Sequence, residues 1–331
     1  MKLLTWTAIV AGGVLLGAGA LAPAKAADAY PAGNVTMIVP FPAGGPSDTV
    51  ARIIADGMSK QLGHTVVIEN VGGAGGTLGV TRAAEAKPDG YTILAGSMGP
   101  MVSAPTFYQN LKYDSIKSFE PIGMSADMAA AVVVKESMPV KTLKEFVDYV
   151  KKNGAKVNQA HGGIGSSSHM ACLMFNKVFD LKPTQVAYRG TGPALNDLIG
   201  GHIDYFCEQV VSIASAANGG KIRALVVSTD TRVKSLADVP TAKEAGAEAY
   251  QLNVWNAVYA PKGIPAEVKA KLVAALDKAL DDPQTAERLG RLGGNVPPKA
   301  QRGPEFLARS IAKDIPFWAP ILKQASAEAK K

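Results

Sequence analysis

Short apolar runs rich in β-branched residues alternate with longer amphipathic stretches along most of this chain. Residues 35–40 have the pattern of a buried strand, and residues 48–62 follow as a helix whose apolar residues recur at helical spacing. Further strands are predicted at 65–69 and 91–95. Because alternating strands and helices build mostly parallel sheets, the sequence predicts an α/β fold.

A second block of the same kind begins near Met128. Its first elements are a strand over 129–134 and a helix over 142–152 that starts at a threonine cap. Later strands are predicted at 157–160, 185–188, 203–206, 222–227 and 254–259, and later helices at 168–179, 194–199, 212–217, 241–245, 265–280 and 283–289. This order predicts two α/β lobes, each a mostly parallel sheet flanked by helices, with lobe 1 formed by 27–127 and 251–331 and lobe 2 by 128–250.

Residues 1–26 have the composition of a secretory signal. Lys2 precedes an apolar stretch over 3–21, and Ala24-Lys25-Ala26 matches a small-x-small cleavage signature. We therefore predict cleavage after Ala26 and export from the cytoplasm, with an uncleaved anchor as the alternative. No cysteine for lipid attachment and no second apolar stretch of spanning length follow this segment, so the mature chain is expected to be soluble.

The charge pattern excludes one class of partner. The formal net charge is +7, but Lys and Arg are scattered, with no basic run longer than pairs such as Lys151-Lys152. A stripe that binds nucleic acid is therefore not expected, whereas anionic small ligands are compatible with the charge. The cysteines, Cys172 and Cys207, could pair in an exported protein, and the sequence leaves open whether they do.

Two glycine-rich loops are the candidate binding elements. The first runs from Phe41 to Asp48, between the first predicted strand and its helix, where Ser47 or Asp48 is available as the helix cap. The second runs from Gly162 to His169 and has the same position in the second block. Ligands of α/β sheets bind where strands end, and free N–H groups at a helix start attract anions, so the loops could close on one anionic group. Plain turns, with the histidine bonded to nearby backbone, are the alternative.

Ser97 supports a competing, catalytic interpretation. The segment 95–99 follows a predicted strand and resembles the nucleophile elbow of serine hydrolases, and an acidic residue followed by His161 would complete the chain order of a triad. Such an elbow leads into a helix, whereas Pro100 and Pro105 leave little helical pattern after Ser97. Ser97 is therefore interpreted as a polar part of the cleft wall.

Other chemistries have less support. His161, His169 and Cys172 lie close in sequence, but their spacing matches no zinc site, so no metal is predicted. The first glycine loop lacks the Gly-Lys-Ser/Thr ending of a P-loop, so no nucleotide is predicted. Asp204 and Glu208 share one face of a strand, and we expect them to bond the backbone rather than to form an acid/base pair.

Several ordered motifs extend over nearly the whole mature chain. In chain order they are Val39-Pro40-Phe41-Pro42-Ala43-Gly44-Gly45 with Asp48, Val67-Ile68-Glu69-Asn70, Gly73-Ala74-Gly75-Gly76, Pro88-Asp89-Gly90-Tyr91-Thr92, the loop 163–169, Tyr188-Arg189-Gly190, Gly200-Gly201-His202-Ile203-Asp204, Gly219-Gly220-Lys221-Ile222-Arg223 and Asp238-Val239-Pro240-Thr241. Together these motifs resemble the tripartite tricarboxylate transporter receptor family, whose members are also called the Bug solute-binding proteins.

The resemblance implies a two-lobed periplasmic binding protein, type II-like, with its ligand cleft between the lobes. Such a receptor is not an enzyme and needs no cofactor. It would capture a small carboxylate, such as a di- or tricarboxylate or an aromatic carboxylate, and deliver it to the membrane permease subunits of a tripartite transporter. We expect a periplasmic monomer that binds no nucleic acid.

The resemblance also implies a set of site residues. The family holds one carboxylate in a pincer of main-chain N–H groups and ordered waters, which corresponds to the two glycine loops. The pincer residues carried over are Phe41, Ala43, Gly44, Gly45, Gly165, Ser166 and His169, and the residues implied for the rest of the cleft are Ser97, Arg189, Gly190 and Glu208. At Cys207-Glu208 the family commonly has an apolar residue followed by Asp, which leaves the ligand open. An exported serine esterase that uses Ser97 and a receptor that signals to a sensor protein are the alternatives.

Overall fold

The computed structural model describes residues 30–328, and the predicted signal with its cleavage after Ala26 lies outside these residues. The strands are β1 (Val35–Val39), β2 (Val66–Asn70), β3 (Thr92–Ser97), β4 (Phe119–Lys135), β5 (Asn158–His161), β6 (Thr184–Ala187), β7 (Tyr205–Gln209), β8 (Ile222–Val227), β9 (Asn253–Pro261) and β10 (Gly294–Asn295). The helices are α1 (Pro46–Leu62), α2 (Thr77–Ala84), α3 (Ala104–Phe107), α4 (Leu143–Asn153), α5 (Ser167–Phe179), α6 (Thr191–Ile199), α7 (Val210–Asn218), α8 (Ala266–Asp281), α9 (Pro283–Arg291) and α10 (Pro304–Glu328).

One mixed sheet runs through the described residues, with its strands in the order β2-β1-β3-β9-β4-β7-β5-β6 and with β8 and β10 paired to β4. Pairing is parallel between β1 and its neighbours β2 and β3, and between β5 and its neighbours β6 and β7. The pairs β3 with β9, β9 with β4 and β4 with β7 are antiparallel. Parallel βα units therefore form the two outer parts of the sheet and antiparallel strands join them, which confirms the predicted α/β fold.

The 17-residue strand β4 belongs to both lobes. It pairs with β9 up to Ala129, with β7 from Ala130 and with β8 from Ala131. At this change of partner, Oγ of Ser228 accepts the N–H of Ala130 at 3.0 Å and donates to the carbonyl oxygen of Leu252 at 2.6 Å. Strands β1, β2, β3 and β9 form one lobe and β5 to β8 the other. The lobe boundaries near 128 and 250 stay a prediction, and β4 passes through the first of them without a break.

Only residues 129–134 of this strand were predicted from the sequence. The first part of β4 contains Pro121, which has no N–H for a sheet ladder and therefore argues against a central strand. The structure accommodates it by register shifts in the pairing with β9, between Pro121 and Gly123 and again between Met124 and Ala126. Irregular pairing of this kind weakens the pattern that a sequence-based prediction uses.

Two helix predictions were wrong. Residues 241–245 form turns instead of a helix, and Thr241 makes an isolated parallel bridge with Val227. The segment after Ser97, predicted to have little helix, forms a π-helical turn over Gly99–Ser103 and then α3. Pro100 and Pro105 lie in the first turns of these segments, where a missing N–H costs no helical hydrogen bond.

A disulfide bond joins Cys172 on α5 to Cys207 on β7, and both side chains are fully buried. The pairing that the sequence left open is therefore present in the structure. The start of α5 follows the predicted site residue Ser166, and β7 contains the predicted site residue Glu208. The disulfide bond therefore fixes the distance between two elements that each carry or adjoin a predicted site residue. None of the helices within residues 30–328 is long and apolar enough to cross a bilayer.

Two buried histidines hold the second glycine loop. The ring centroids of His161 and His169 lie 4.3 Å apart. Nδ1 of His161 accepts the N–H of Gly163 at 3.2 Å, and Nδ1 of His169 accepts the N–H of Gly165 at 3.0 Å. Burial lowers the pKa of His161 to about 4 and the pKa of His169 to about 3. Both rings are therefore neutral at neutral pH, and each Nδ1 is free to accept.

Replacing both cysteines by alanine, C172A/C207A, should lower the free energy of unfolding by roughly 3 to 4 kcal/mol, because a crosslink across a loop of this length restricts the unfolded chain by about that amount. Urea unfolding followed by circular dichroism measures the loss. As a control, dithiothreitol during unfolding should destabilise the wild type and leave the double variant unchanged. A double variant as stable as the wild type would contradict the prediction.

Lowering the pH from 7 to 5 should destabilise the protein through the two histidines. Their pKa is 6.5 in the unfolded chain and lower in the folded one, so the unfolded state takes up protons that the folded state excludes. Each histidine then contributes a loss of about 2 kcal/mol at pH 5. In urea unfolding, H161Q/H169Q should lose less stability than the wild type between the two pH values, while the exposed-site control His202→Gln keeps the wild-type slope. Equal slopes in the double variant and the wild type would be inconsistent with this role.

Candidate functional site

Four helices begin at one cavity between the lobes. They are α1, which follows β1, and α5, α6 and α7, which follow β5, β6 and β7. The cavity is lined by Phe41, Pro42, Ala43, Gly45, Pro46, Ser47, Gly162, Ser166, Ser167, Ser168, Gly190, Thr191, Gly192, Pro193, Glu208 and Gln209. Its volume is about 50 Å³, which is room for a few water-sized groups. The site thus lies at the carboxyl ends of parallel strands, where ligands of open α/β sheets bind.

The helix starts give the cavity a positive potential. The first N–H groups of a helix have no partner within the helix, and the helix dipole places a partial positive charge at the same end. Among the described residues that line the cavity there is no Lys, Arg or His. An anion bound here would therefore be held by backbone N–H groups and by serine and threonine hydroxyls, without a cationic side chain.

Asp48 holds the first glycine loop in place but does not cap helix α1, as had been predicted for Ser47 or Asp48. The N-cap of α1 is Gly45, so neither Ser47 nor Asp48 is the cap. Asp48 lies in the first turn, where its Oδ2 accepts the N–H of Gly44 at 2.9 Å and its Oδ1 accepts from Asn70 at 2.9 Å. Burial alone would raise the pKa of Asp48, but the hydrogen bonds from Arg52, Gly44 and Asn70 hold it below the usual value. The carboxylate therefore organises the loop and leaves the N–H of Gly44 unavailable to a ligand.

The start of α5 is organised by its own serines. Ser166 is the N-cap, and its Oγ accepts the N–H of His169. Oγ of Ser168 accepts the N–H of Gly162 at 2.9 Å and lies 3.1 Å from Oγ of Ser166. These bonds position the loop so that the first turn of α5 faces the cavity.

The two lobes contact each other beside the cavity. Oγ of Ser103 donates to the carbonyl oxygen of Gly165 at 2.6 Å, and Oη of Tyr108 donates to that of Ile164 at 2.9 Å. Gly75 has φ 63°, and a Cβ added there would lie 1.9 Å from the carbonyl oxygen of Ile164. Only glycine permits this approach, so the two lobes are in direct contact at this point.

The predicted site residues divide into two groups. Those that line the cavity are Phe41, Ala43, Gly45, Ser166, Gly190 and Glu208. Those that do not line it are Gly44, Gly165, His169, Ser97 and Arg189. The structure therefore brings together parts of both glycine loops and the ends of β6 and β7.

The residues outside the cavity wall have identifiable reasons for their position. The N–H groups of Gly44 and Gly165 donate to Asp48 and His169. Nδ1 of His169 is occupied in this way, and its Nε2 lies 3.1 Å from Oε1 of Gln185. The side chain of Arg189 is exposed, while the next residue along the chain lines the cavity.

Sequence reasoning missed the wall residues that lie outside the two glycine loops. They are Thr191, Gly192, Pro193 and Gln209, whereas Pro42, Pro46, Gly162, Ser167 and Ser168 belong to the predicted loops without having been named as site residues. Helices α6 and α7 were predicted to begin at 194 and 212, but they begin at Thr191 and Val210. Starting each helix directly after its strand would have placed Thr191 and Gln209 at the cavity.

Glu208 is a buried carboxyl group in the wall. Its Oε2 accepts from Oγ1 of Thr191 at 2.5 Å, and its Oε1 accepts the N–H of Gln209 at 2.7 Å. Burial raises the pKa of Glu208 to about 7. Asp204, its predicted neighbour on the strand, instead accepts the N–H of Asn158 and pairs with Lys135 at 2.7 Å, so it has a structural role.

The catalytic interpretation of Ser97 finds no matching geometry. Oγ of Ser97 is buried and has no hydrogen-bond partner among the described residues. The Nδ1 atoms of His161 and His169 both accept glycine N–H groups. A serine nucleophile needs a base within hydrogen-bond reach, which this arrangement does not supply. Residues 30–328 also contain no group of three or more His, Cys, Asp or Glu side chains placed to hold a metal ion.

Known proteins share this architecture. The family model for the tripartite tricarboxylate transporter family receptor matches residues 50–325. The structure of the periplasmic binding protein BugD is 40% identical with a TM-score of 0.85, covering 89% of this chain and 98% of that chain. MatC from Rhodopseudomonas palustris, solved with bound malate, is 41% identical with a TM-score of 0.84, covering 88% and 100%. An R. palustris protein solved with adipate is 28% identical with a TM-score of 0.85, covering 89% and 98%.

The family match includes α5, α6 and α7, the helices of the second lobe that begin at the cavity. The structural matches extend over both lobes. The chain therefore belongs to the tripartite tricarboxylate transporter receptor family, the Bug proteins, and has the two-lobed fold of a periplasmic binding protein.

Proposed function

We propose that this protein is a periplasmic receptor that captures a small carboxylate between its lobes and delivers it to a membrane transporter of the tripartite tricarboxylate type. The observation that carries the proposal is the start of four helices at one cavity whose described wall contains no Lys, Arg or His. A carboxylate has two oxygens that each accept several N–H bonds, so it satisfies these helix ends better than a neutral group does.

The ligands in two related structures support this ligand class. MatC was solved with malate and the second R. palustris protein with adipate, and both ligands are dicarboxylates. Within this class, the wall residues rather than the helix ends would decide which acid is bound, because every carboxylate makes similar bonds to N–H groups.

The proposed location and partners follow from the same features. The predicted signal, cleaved after Ala26, would deliver the chain to the periplasm, where we propose that it acts as a monomer. The contacts from Ser103 to Gly165 and from Tyr108 to Ile164 exist only while the lobes are together. Closure would therefore create a surface, composed of both lobes, that the permease subunits of the transporter recognise.

The protein is proposed to bind its ligand without converting it. Within the part of the chain that the structure describes, no histidine bonds Ser97, and the Ser97 hydroxyl is buried outside the cavity wall. The buried hydroxyls of Ser166, Ser168 and Thr191 in the wall bond to one another, to the backbone or to Glu208, as in a binding site, rather than forming an activated nucleophile with a histidine base.

Ala43→Asp should weaken carboxylate binding at least about tenfold relative to Ala43→Asn. Ala43 is exposed in the loop before α1 and lines the cavity, so both side chains fit, and only Asp adds a negative charge near the bound anion. Isothermal titration calorimetry with malate, succinate, adipate, citrate, benzoate and aspartate measures the affinities, first on the wild type. If the wild type binds none of these acids, the proposed ligand class is wrong; if the two variants bind equally, the site is elsewhere.

A labelled fluorophosphonate should not react with the mature protein, because Ser97 lacks a base and its hydroxyl is buried. Mass spectrometry of the intact protein detects any covalent adduct. Ser97→Ala should also leave carboxylate affinity within about twofold of the wild type, since Ser97 lies outside the cavity wall. An adduct that forms in the wild type and is lost in Ser97→Ala would establish a serine esterase instead.

A further inference from the structure

Thr191 and Glu208 form a hydrogen-bonded pair in the cavity wall. Thr191 is the first residue of α6 and is 9% exposed, and Glu208 lies at the carboxyl end of β7 and is 1% exposed. Oγ1 of Thr191 lies 2.5 Å from Oε2 of Glu208, and Oε1 of Glu208 accepts the N–H of Gln209 at 2.7 Å. Both partners of the carboxyl group are neutral, so a negative charge on it is compensated by two hydrogen bonds and by no cation.

The ionised form of this pair opposes an anion in two ways. Threonine has one hydroxyl hydrogen and a carboxylate can only accept, so the hydrogen lies between Oγ1 of Thr191 and Oε2 of Glu208. Thr191 then presents only lone pairs to the cavity. The charge of Glu208 also repels a bound carboxylate, and this repulsion is strong where little water is present to screen it.

One proton on Oε2 of Glu208 reverses both effects. The carboxyl group then donates to Oγ1 of Thr191 across the same pair of oxygen atoms, so neither side chain has to move. The hydroxyl hydrogen of Thr191 is released from the pair and can turn toward the cavity, while Oε1 of Glu208 still accepts the N–H of Gln209. The wall thereby loses a negative charge and gains a donor at the start of α6.

Among the described residues no charged side chain acts on Glu208. Helix α7 has no titratable side chain. The titratable residues on the other segments that pack against β7 or border the cavity are Arg189 before α6, Asp197 on α6, His161 on β5, His169 and Lys177 on α5, Glu120, Asp127 and Lys135 on β4, and Asp48 in the first turn of α1. None of them contributes to the pKa of Glu208, which burial raises to about 7 against the two hydrogen bonds. Its protonated and ionised forms are therefore both accessible near neutral pH.

We propose that this receptor takes up one proton from solvent when it captures its anion, and that the proton lies between Oε2 of Glu208 and Oγ1 of Thr191 while the Thr191 hydroxyl donates to the ligand. This inference rests on the proposed capture of a carboxylate and applies to any acid of that class. Because binding favours the protonated carboxyl group, affinity is highest at low pH and falls as the pH rises above the pKa of Glu208 in the free protein.

Calorimetry on the mature wild-type protein at pH 8 counts the protons. Malate, succinate, adipate, benzoate and aspartate, whose carboxylates are ionised at this pH, are titrated in phosphate and in Tris, two buffers with different enthalpies of ionisation. For each acid that binds, the difference between the observed enthalpies should correspond to uptake of roughly half to one proton. The dissociation constant should rise about tenfold or more between pH 7 and pH 9.

Glu208→Gln imitates the protonated state, because its amide keeps an acceptor for the N–H of Gln209 and offers a donor to Thr191. This variant should take up no proton, lose the pH dependence and bind the same acids at pH 9 at least about tenfold more tightly than the wild type. Thr191→Val should weaken binding at pH 7 about tenfold, whereas Thr191→Ser keeps the hydroxyl and the affinity. The same change at an exposed position, Glu248→Gln, is the matched control and should keep the wild-type proton uptake and pH dependence.

Each result decides between the hypotheses. Binding without proton uptake, or with release of a proton, overturns the inference and leaves the carboxylate receptor intact. Proton uptake that persists unchanged in Glu208→Gln overturns its assignment to this pair. No binding by any of the acids overturns the proposed function itself. Because the protons are counted on wild-type protein, the count stands even if Glu208→Gln does not fold, which thermal unfolding reports.

Discussion

The continuous strand β4 is the constraint on which the rest of the structure depends. One extended segment pairs with β9 in one lobe and with β7 and β8 in the other, so the two sets of parallel strands cannot be positioned independently. At the change of partner a strand would normally leave backbone groups unpaired, and Ser228 supplies both the acceptor and the donor that keep them bonded. The ends of β1 on one side and of β5, β6 and β7 on the other are thereby brought to one cavity, which no single lobe could build.

At this cavity the backbone provides the attraction for an anion, whereas most of the charged or titratable side chains nearby position the loops. Attraction for an anion comes from helix ends, whose N–H groups are in place because four times the chain passes from the end of a strand, through a loop of at most six residues, into a helix. Side chains such as Asp48, His161 and His169 hold the loops and contact glycine N–H groups rather than the cavity. Among the described residues that line the cavity, Glu208 is the one with an ionisable side chain. In the proposed receptor, the helix ends would supply the strength of binding and the side chains of the wall the choice of ligand.

The sequence predicted the α/β fold, most of the outer strands and helices, and the two glycine loops, because these depend on local periodicity and on the strand-to-helix turn. It missed the first part of β4, where Pro121 and register shifts obscure the pattern, and the helical turns after Ser97, where the prolines occupy positions that tolerate them. The sequence also did not predict that the N–H groups of Gly44 and Gly165 donate to side chains of their own loops instead of to a ligand. Whether an N–H group is free for a ligand depends on a competing acceptor, here Asp48 or His169, whose exact placement is set by tertiary packing. Resemblance to a family identified the loops but not this competition.

A site whose positive potential comes from helix dipoles has an evolutionary consequence. Peptide dipoles do not titrate, and no single side-chain substitution removes them, so the capacity to hold an anion persists while the sequence around it diverges. In the proposed receptor, wall positions such as 208 and 209 could change while the helix ends still hold a carboxylate, and such changes would alter which acid is bound. Homologous proteins with this fold would then differ in ligand specificity mainly through the residues of the cavity wall, while the loops that position the helix ends stay the same.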